Sequence, residues 1–133
     1  MSRSYVFDAG FIALYFAGRE DTRKYVDEIY EKTSKAYICE INLAEFLYNY
    51  ARVFGWEAAL VKNKLLRNSP IEIIGVNEDL TLSTAKIKLK YYEKLSLADC
   101  YLVALAKKLK ATILTTDSTL RDIEEIKVKY FKI

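Results

Sequence analysis

The stretch SLADCYLVALAKKLKATILTTD, residues 96–117, decides the fold. From Ser96 to Leu109 it reads as a helix that is apolar on most faces, with charge confined to Asp99 near its start and to Lys107 and Lys108 near its end. A helix apolar on nearly every side must be buried. Ala111 to Leu114 then reads as a short strand that stops at Thr115-Thr116-Asp117. A buried helix feeding directly into a buried strand is the repeating unit of a parallel sheet covered on both faces.

The rest of the chain repeats this alternation. Tyr5-Val6-Phe7 is a β-favouring run that stops at Asp8-Ala9-Gly10, and a short apolar helix follows from Phe11 to Phe16. Glu20 to Thr33 places Tyr25, Ile29 and Tyr30 at helical spacing among charges. Ala36 to Cys39 reads as a buried strand. Asn42 then opens the patterned helix NLAEFLYNYARVF, which breaks near Gly55. Trp56 to Leu66 continues as a helix ended by Asn68-Ser69-Pro70, and Ile71 to Val76 is a β-branched strand. Asp79 to Tyr92 is a long basic helix, and Val128 to Ile133 a last strand. The expectation is an α/β fold forming a single domain over residues 1–133. In such sheets ligands bind beyond the carboxyl ends of the strands, where strand order reverses.

Composition narrows the chemistry. The chain has 133 residues, is 52% hydrophobic and carries a net charge of +3, so one core is feasible and a nucleic-acid partner is permitted without being demanded. It contains no histidine, which excludes Ser-His-Asp and Cys-His nucleophilic sites and every histidine-containing zinc site. Cys39 and Cys100 each lie in an apolar run and read as reduced core residues of an intracellular protein. AGFIALYFAG could pass for a signal segment, but Asp8 precedes it and no run approaches the roughly 20 residues of a membrane span. A soluble, cytoplasmic protein is expected.

Four acids stand where apolar strands end or where the helices after them begin: Asp8, Glu45, Asp99 and Asp117. Turn or N-cap roles account for Asp8 and Asp117 taken singly. Asn42-Leu43-Ala44-Glu45 and Ser96-Leu97-Ala98-Asp99 both have the spacing of a capping box, which accounts for the other two. The four together are harder to explain by capping, because a parallel sheet carries all of them to one edge. A buried carboxylate cluster with no adjacent basic residue needs a neutralising cation. Oxygen-only ligands select Mg²⁺ or Mn²⁺, which activates water and offsets charge on a phosphoryl oxygen.

VFDAGFI, NLAEFLY and LSLADCYLVALAKKLKATILTTD, in this order and spacing with a short C-terminal strand, resemble the PIN-domain family over almost the whole chain. The resemblance implies a three-layer α/β/α sandwich on a parallel sheet of about five strands, with Asp8, Glu45, Asp99 and Asp117 in the catalytic, metal-binding positions. It also implies a VapC-type toxin, an endoribonuclease acting on single-stranded RNA and restrained by a cognate antitoxin. Thr115 matches a supporting hydroxyl of the family, although a β-branched residue at a strand end needs no such role. One departure stands out: members usually carry Ser or Thr just after the first Asp, where this chain has Ala9 and Gly10, so weakened activity is expected.

For substrate contacts the sequence offers basic runs at 62–67, 86–90 and 107–110, which a solvated helix face also explains. Lys86, Lys88, Lys90, Tyr91 and Tyr92 are the candidates for RNA binding by phosphate contact and stacking. Helices carrying Tyr48, Phe54 and Trp56 have aromatic surface for a homodimer or an antitoxin. Two alternatives stay open: a housekeeping RNA-processing nuclease, which would need further RNA-binding modules, and a catalytically silent domain that binds RNA or protein.

Overall fold

A computed structural model of the chain describes residues 3–133. Five strands, β1 (Arg3–Phe7), β2 (Ser34–Cys39), β3 (Glu72–Ile74), β4 (Thr112–Thr115) and β5 (Val128–Tyr130), form one parallel sheet in the order β3-β2-β1-β4-β5. The chain winds outward from β1 to β3 on one side and then crosses to β4 and β5 on the other. Strand order therefore reverses between β1 and β4, which makes that junction the topological switch point.

Six helices cover the sheet: α1 (Ala9–Phe16), α2 (Glu20–Tyr30), α3 (Glu40–Phe54), α4 (Trp56–Arg67), α5 (Glu78–Lys90) and α6 (Leu97–Leu109). Alternation along each strand divides the core in two. Tyr5 and Phe7 of β1 point to the face packed by Phe11, Ile29, Leu43 and Phe46, whereas Val6 points to the face packed by Leu80, Leu102 and Leu105. The result is the expected α/β/α sandwich. Cys39 and Cys100 are free, fully buried thiols of the second core.

Several boundaries differ from expectation for local reasons. Helix α3 begins at Glu40, two residues before Asn42, because the chain turns into helix directly from Cys39, whose side chain makes no cap bond. Asn42 is thus inside the helix and Glu45 is not a capping-box residue. Gly55, at φ +95°, breaks α3 from α4 in a conformation open to glycine and costly for other residues. β3 and β5 are three residues each, shorter than their β-branched runs, because each is an edge strand paired on one side only. A 3₁₀ turn at Ser118–Asp122, absent from the sequence reading, follows β4. No helix among the described residues is long and apolar enough to cross a membrane.

Candidate active site

Asp8 follows the last residue of β1 and caps α1. Its Oδ1 accepts the Phe11 N–H at 2.7 Å, and its Oδ2 accepts the Thr115 hydroxyl and, at 3.3 Å, the Thr116 N–H. Thr115, fully buried at the end of β4, also accepts the Asp117 N–H at 2.9 Å. One hydroxyl thus ties the two strands together at the switch point and fixes two of the acids relative to each other. Asp8 is only 7% exposed, and burial pushes its carboxyl above the ordinary range against the pull of these three donors.

The other acids arrive from the helices. Ser96 caps α6 by accepting the Asp99 N–H at 3.1 Å, so the backbone half of the expected capping box exists. The Asp99 side chain does not fold back to complete it; it hydrogen-bonds Asp117 instead. Burial, that bond and the charges of Asp117, Glu45 and Asp8 push Asp99 up to about 8, so it holds the proton of the pair. Burial also pushes Asp117 up, but bonds from Asp99 and from the Thr119 N–H and hydroxyl, at 2.9 and 2.7 Å, outweigh it and leave that carboxyl below its usual range. Glu45 is raised by burial and by the charges of Asp8 and Asp117.

All four acids therefore converge on one edge and repel one another, and among the described residues none forms an ion pair. They do not form a closed cage. Among the described residues no three acidic or thiol side chains are drawn close enough to hold a metal ion as they stand. Like charges without a cation relax by sharing a proton, as Asp99 and Asp117 do. The oxygen-only donor set, buried at Asp8, half-buried at the other three and without a basic partner, fits a hard divalent cation once the side chains close on it.

Two residues of the site escaped the sequence reading. Asn42, 1% exposed, donates from Nδ2 to the Ala98 carbonyl at 3.2 Å and so joins α3 to the start of α6, while its buried Oδ1 has no partner among the described residues. Its place in an apparent capping box hid this role. Thr116 is the other. A Cβ on Gly10 would lie 1.9 Å from the Thr116 Oγ1. The space a side chain at position 10 would take is therefore filled by the hydroxyl of Thr116, just after β4.

The substrate candidates divide. Lys88 Nζ donates to the carbonyls of Tyr92 and Leu95 at 2.9 and 2.6 Å. Lys90 and Tyr91 both bond Glu125 Oε1. Lys88 thus ties α5 to the α5–α6 connection, and Lys90 and Tyr91 tie the end of α5 to the segment before β5. Lys86 and Tyr92, the latter 66% exposed, are free at the surface. The 107–110 run lies at the opposite end of the sheet from the carboxylates, because α6 begins beside the acids and ends beside the start of β4. Tyr48, Phe54 and Trp56 are more than half exposed on α3 and α4, and Ile12, Phe16, Val26 and Leu65 line an apolar groove of about 170 Å³ between α1, α2 and α4.

Comparison with known proteins agrees with this architecture. The PIN domain family model matches residues 5–126. No curated protein sequence matches the chain significantly. Among solved structures, VapBC2 from Rickettsia felis bound to a promoter DNA fragment superposes with a TM-score of 0.80 at 16% identity, covering 97% of this chain and 99% of that one. DNA-bound VapBC from Salmonella typhimurium gives 0.77 at 16% identity, covering 98% of each chain. VapC20 of Mycobacterium tuberculosis, a sarcin-ricin loop cleaving toxin, gives 0.66 at 16% identity over 92% of this chain and 98% of that one. A five-stranded parallel sheet with acids gathered at its switch point, and a family match spanning nearly the whole sequence, lead to one conclusion: the chain belongs to the PIN-domain family.

Proposed function

We propose that this protein is a metal-dependent endoribonuclease that hydrolyses phosphodiester bonds of single-stranded RNA, and that it is the toxin of a toxin–antitoxin pair. The observation that carries this reading is the set of four uncompensated carboxylates at the switch point, two of them sharing a proton. Membership of the PIN family and the fold shared with VapBC complexes support it. Asp8, Asp99 and Asp117 would hold Mg²⁺ or Mn²⁺, and Glu45 would complete the cage or orient the attacking water. Such an ion, when bound, activates water and offsets charge on the phosphoryl oxygens.

The chain's own residues supply position. The Phe11 and Thr116 amides and the Thr115 hydroxyl fix both oxygens of Asp8 before substrate arrives. Asn42 holds α3 against the Ala98 carbonyl, which keeps Glu45 and Asp99 at a constant separation. Asp99 can give up its proton near neutrality as the cluster is neutralised. Lys86 and Tyr92 remain available for a phosphate and an unstacked base. The exposed aromatics of α3 and α4 and the groove beside α1 would provide surface for a homodimer or a cognate antitoxin.

A catalytically silent RNA- or protein-binding domain is the second reading, and Ala9 and Gly10 in place of the usual hydroxyl after the first acid favour it. Incubation with a single-stranded RNA in Mg²⁺ and in EDTA separates the two. Cleavage that EDTA abolishes supports the enzyme, and binding without cleavage supports the silent domain. Full cleavage by Asp8→Asn in Mg²⁺ would show that the acids are misassigned.

A further inference from the structure

A broad cleft lies at the amino ends of the strands, opposite the carboxylates. Its volume is about 860 Å³, and it is walled by the starts of β1, β4 and β5 and the end of α6. Along β1 the five residue-to-residue steps from Arg3 to Asp8 put on the order of 16 Å between the two ends of the sheet. The cleft lies within the size range of small-ligand pockets, about 300–1,000 Å³.

Its charge is distinctive. Arg3, Lys107, Lys110, Lys127 and Lys129 line it against a single carboxylate, Glu125, so the cleft carries +4 where the whole chain carries +3. Everything outside it sums to −1. Six other cations, Arg19, Arg23, Arg67, Lys90, Lys94 and Lys108, are spent on ion pairs. Among the described residues none of the five cleft cations makes one, and Glu125 already bonds Lys90 and Tyr91. The dipole of α6 favours cations at Lys107 and Lys110 but does not account for Arg3 on β1, Lys129 on β5 or Lys127 just before β5. Lys110 moreover adopts a left-handed backbone, φ +53°, at a helix end where glycine or asparagine is favoured, and yet the residue is lysine.

We propose that this cleft is a second, phosphate-binding site that takes the sugar-phosphate backbone of single-stranded RNA and holds the strand at the end of the sheet away from the carboxylates. The acid edge repels phosphates and the charges outside the cleft sum to −1, so the cleft supplies the chain's excess positive charge for a polyanion. RNA as the polyanion rests on the ribonuclease reading; the unpaired cations do not.

Binding of a fluorescently labelled single-stranded oligouridylate, measured by anisotropy in EDTA from 50 to 200 mM salt, tests the proposal without requiring cleavage. Lys127→Gln/Lys129→Gln removes two exposed, unpaired charges. It should weaken binding at least tenfold at 50 mM salt and reduce the slope of log K against log salt by about 1.4. Arg23→Gln/Arg52→Gln, with the same charge removed from the exposed faces of α2 and α3, should change neither. Equal losses in both variants would mean diffuse attraction and overturn the site, as would an unchanged cleft variant. Displacement of the oligonucleotide by equimolar inorganic phosphate would mark a small-anion pocket and overturn RNA as its occupant. Loss of binding in the cleft variant from a protein that never cleaves RNA defeats the ribonuclease reading and leaves the cleft standing. Cleavage with unaltered cleft-variant binding does the reverse.

Discussion

Gly10→Ala tests how tightly the two central strands meet at the site. Alanine in place of glycine inside an exposed helix ordinarily gains about 0.5–1 kcal/mol. Here the new Cβ would fall 1.9 Å from the Thr116 Oγ1, 3.0 Å from its Cβ and 3.2 Å from its Cγ2. Turning the hydroxyl away does not suffice, since the methyl group then enters the same slot and the Thr116 Cβ stays close. Overpacking of this kind costs about 1–3 kcal/mol, so the net expectation is a loss of roughly 1–2 kcal/mol. Urea unfolding in EDTA at constant pH measures it, with the midpoint falling and the slope unchanged. Gly10→Ala/Thr116→Ala removes the Oγ1 and Cγ2 and should recover most of the loss, a coupling of about 1 kcal/mol or more. A Gly10→Ala protein as stable as the parent, or a double variant showing the two losses simply added, refutes the close approach.

In metal-free protein, Asp99 keeps until about pH 8 a proton that the unfolded chain releases near 3.8. Its contribution to stability is therefore fully present below about pH 4 and declines as pH rises to about 8; Glu45 and Asp8, also raised, add to the same trend. Glu40, lowered by Arg67, acts oppositely but only where pH falls below the ordinary glutamate range. Urea midpoints in EDTA should fall between pH 5 and 8, and a rise over that interval would contradict the assignment. Thr115→Val leaves Oδ2 of Asp8 without its hydroxyl donor and the Asp117 N–H without an acceptor, at a cost of about 1–3 kcal/mol for buried groups left unpaired. An unchanged midpoint in that variant would remove Thr115 from the site. Saturating Mg²⁺ at 100 times its dissociation constant should raise stability by about 2.7 kcal/mol in the parent, read as a shift in unfolding midpoint that Asp8→Asn loses.

Much of this was legible in residues 96–117 alone. A nearly all-apolar helix running into a short strand admits few environments, and α6 and β4 are where the pattern placed them to within a residue or two. Strand-end acids were legible because parallel topology carries every such position to one edge. Capping boxes were less so: the same spacing held for Ser96 and Asp99 and failed for Asn42 and Glu45, because helix starts depend on the preceding strand's exit and not on spacing alone. The role of Thr116 could not be read, since it depends on a contact between residues 106 positions apart. Basic runs misled as well. Which end of a helix a lysine occupies sets which edge of the sheet it reaches, and the 107–110 run reaches the wrong one for the carboxylates.

The Asp99→Asn variant tests the central claim most directly, because the claim predicts opposite changes in two properties of one protein. Removing a carboxyl that its neighbours repel should raise the unfolding midpoint in EDTA at pH 8. The same change should lower single-turnover cleavage of single-stranded RNA in Mg²⁺ by about 100-fold or more. A variant that is more stable and inactive is the predicted result. Asp99→Asn that cleaves at the parental rate, or that loses activity only because it is less stable, would contradict the account.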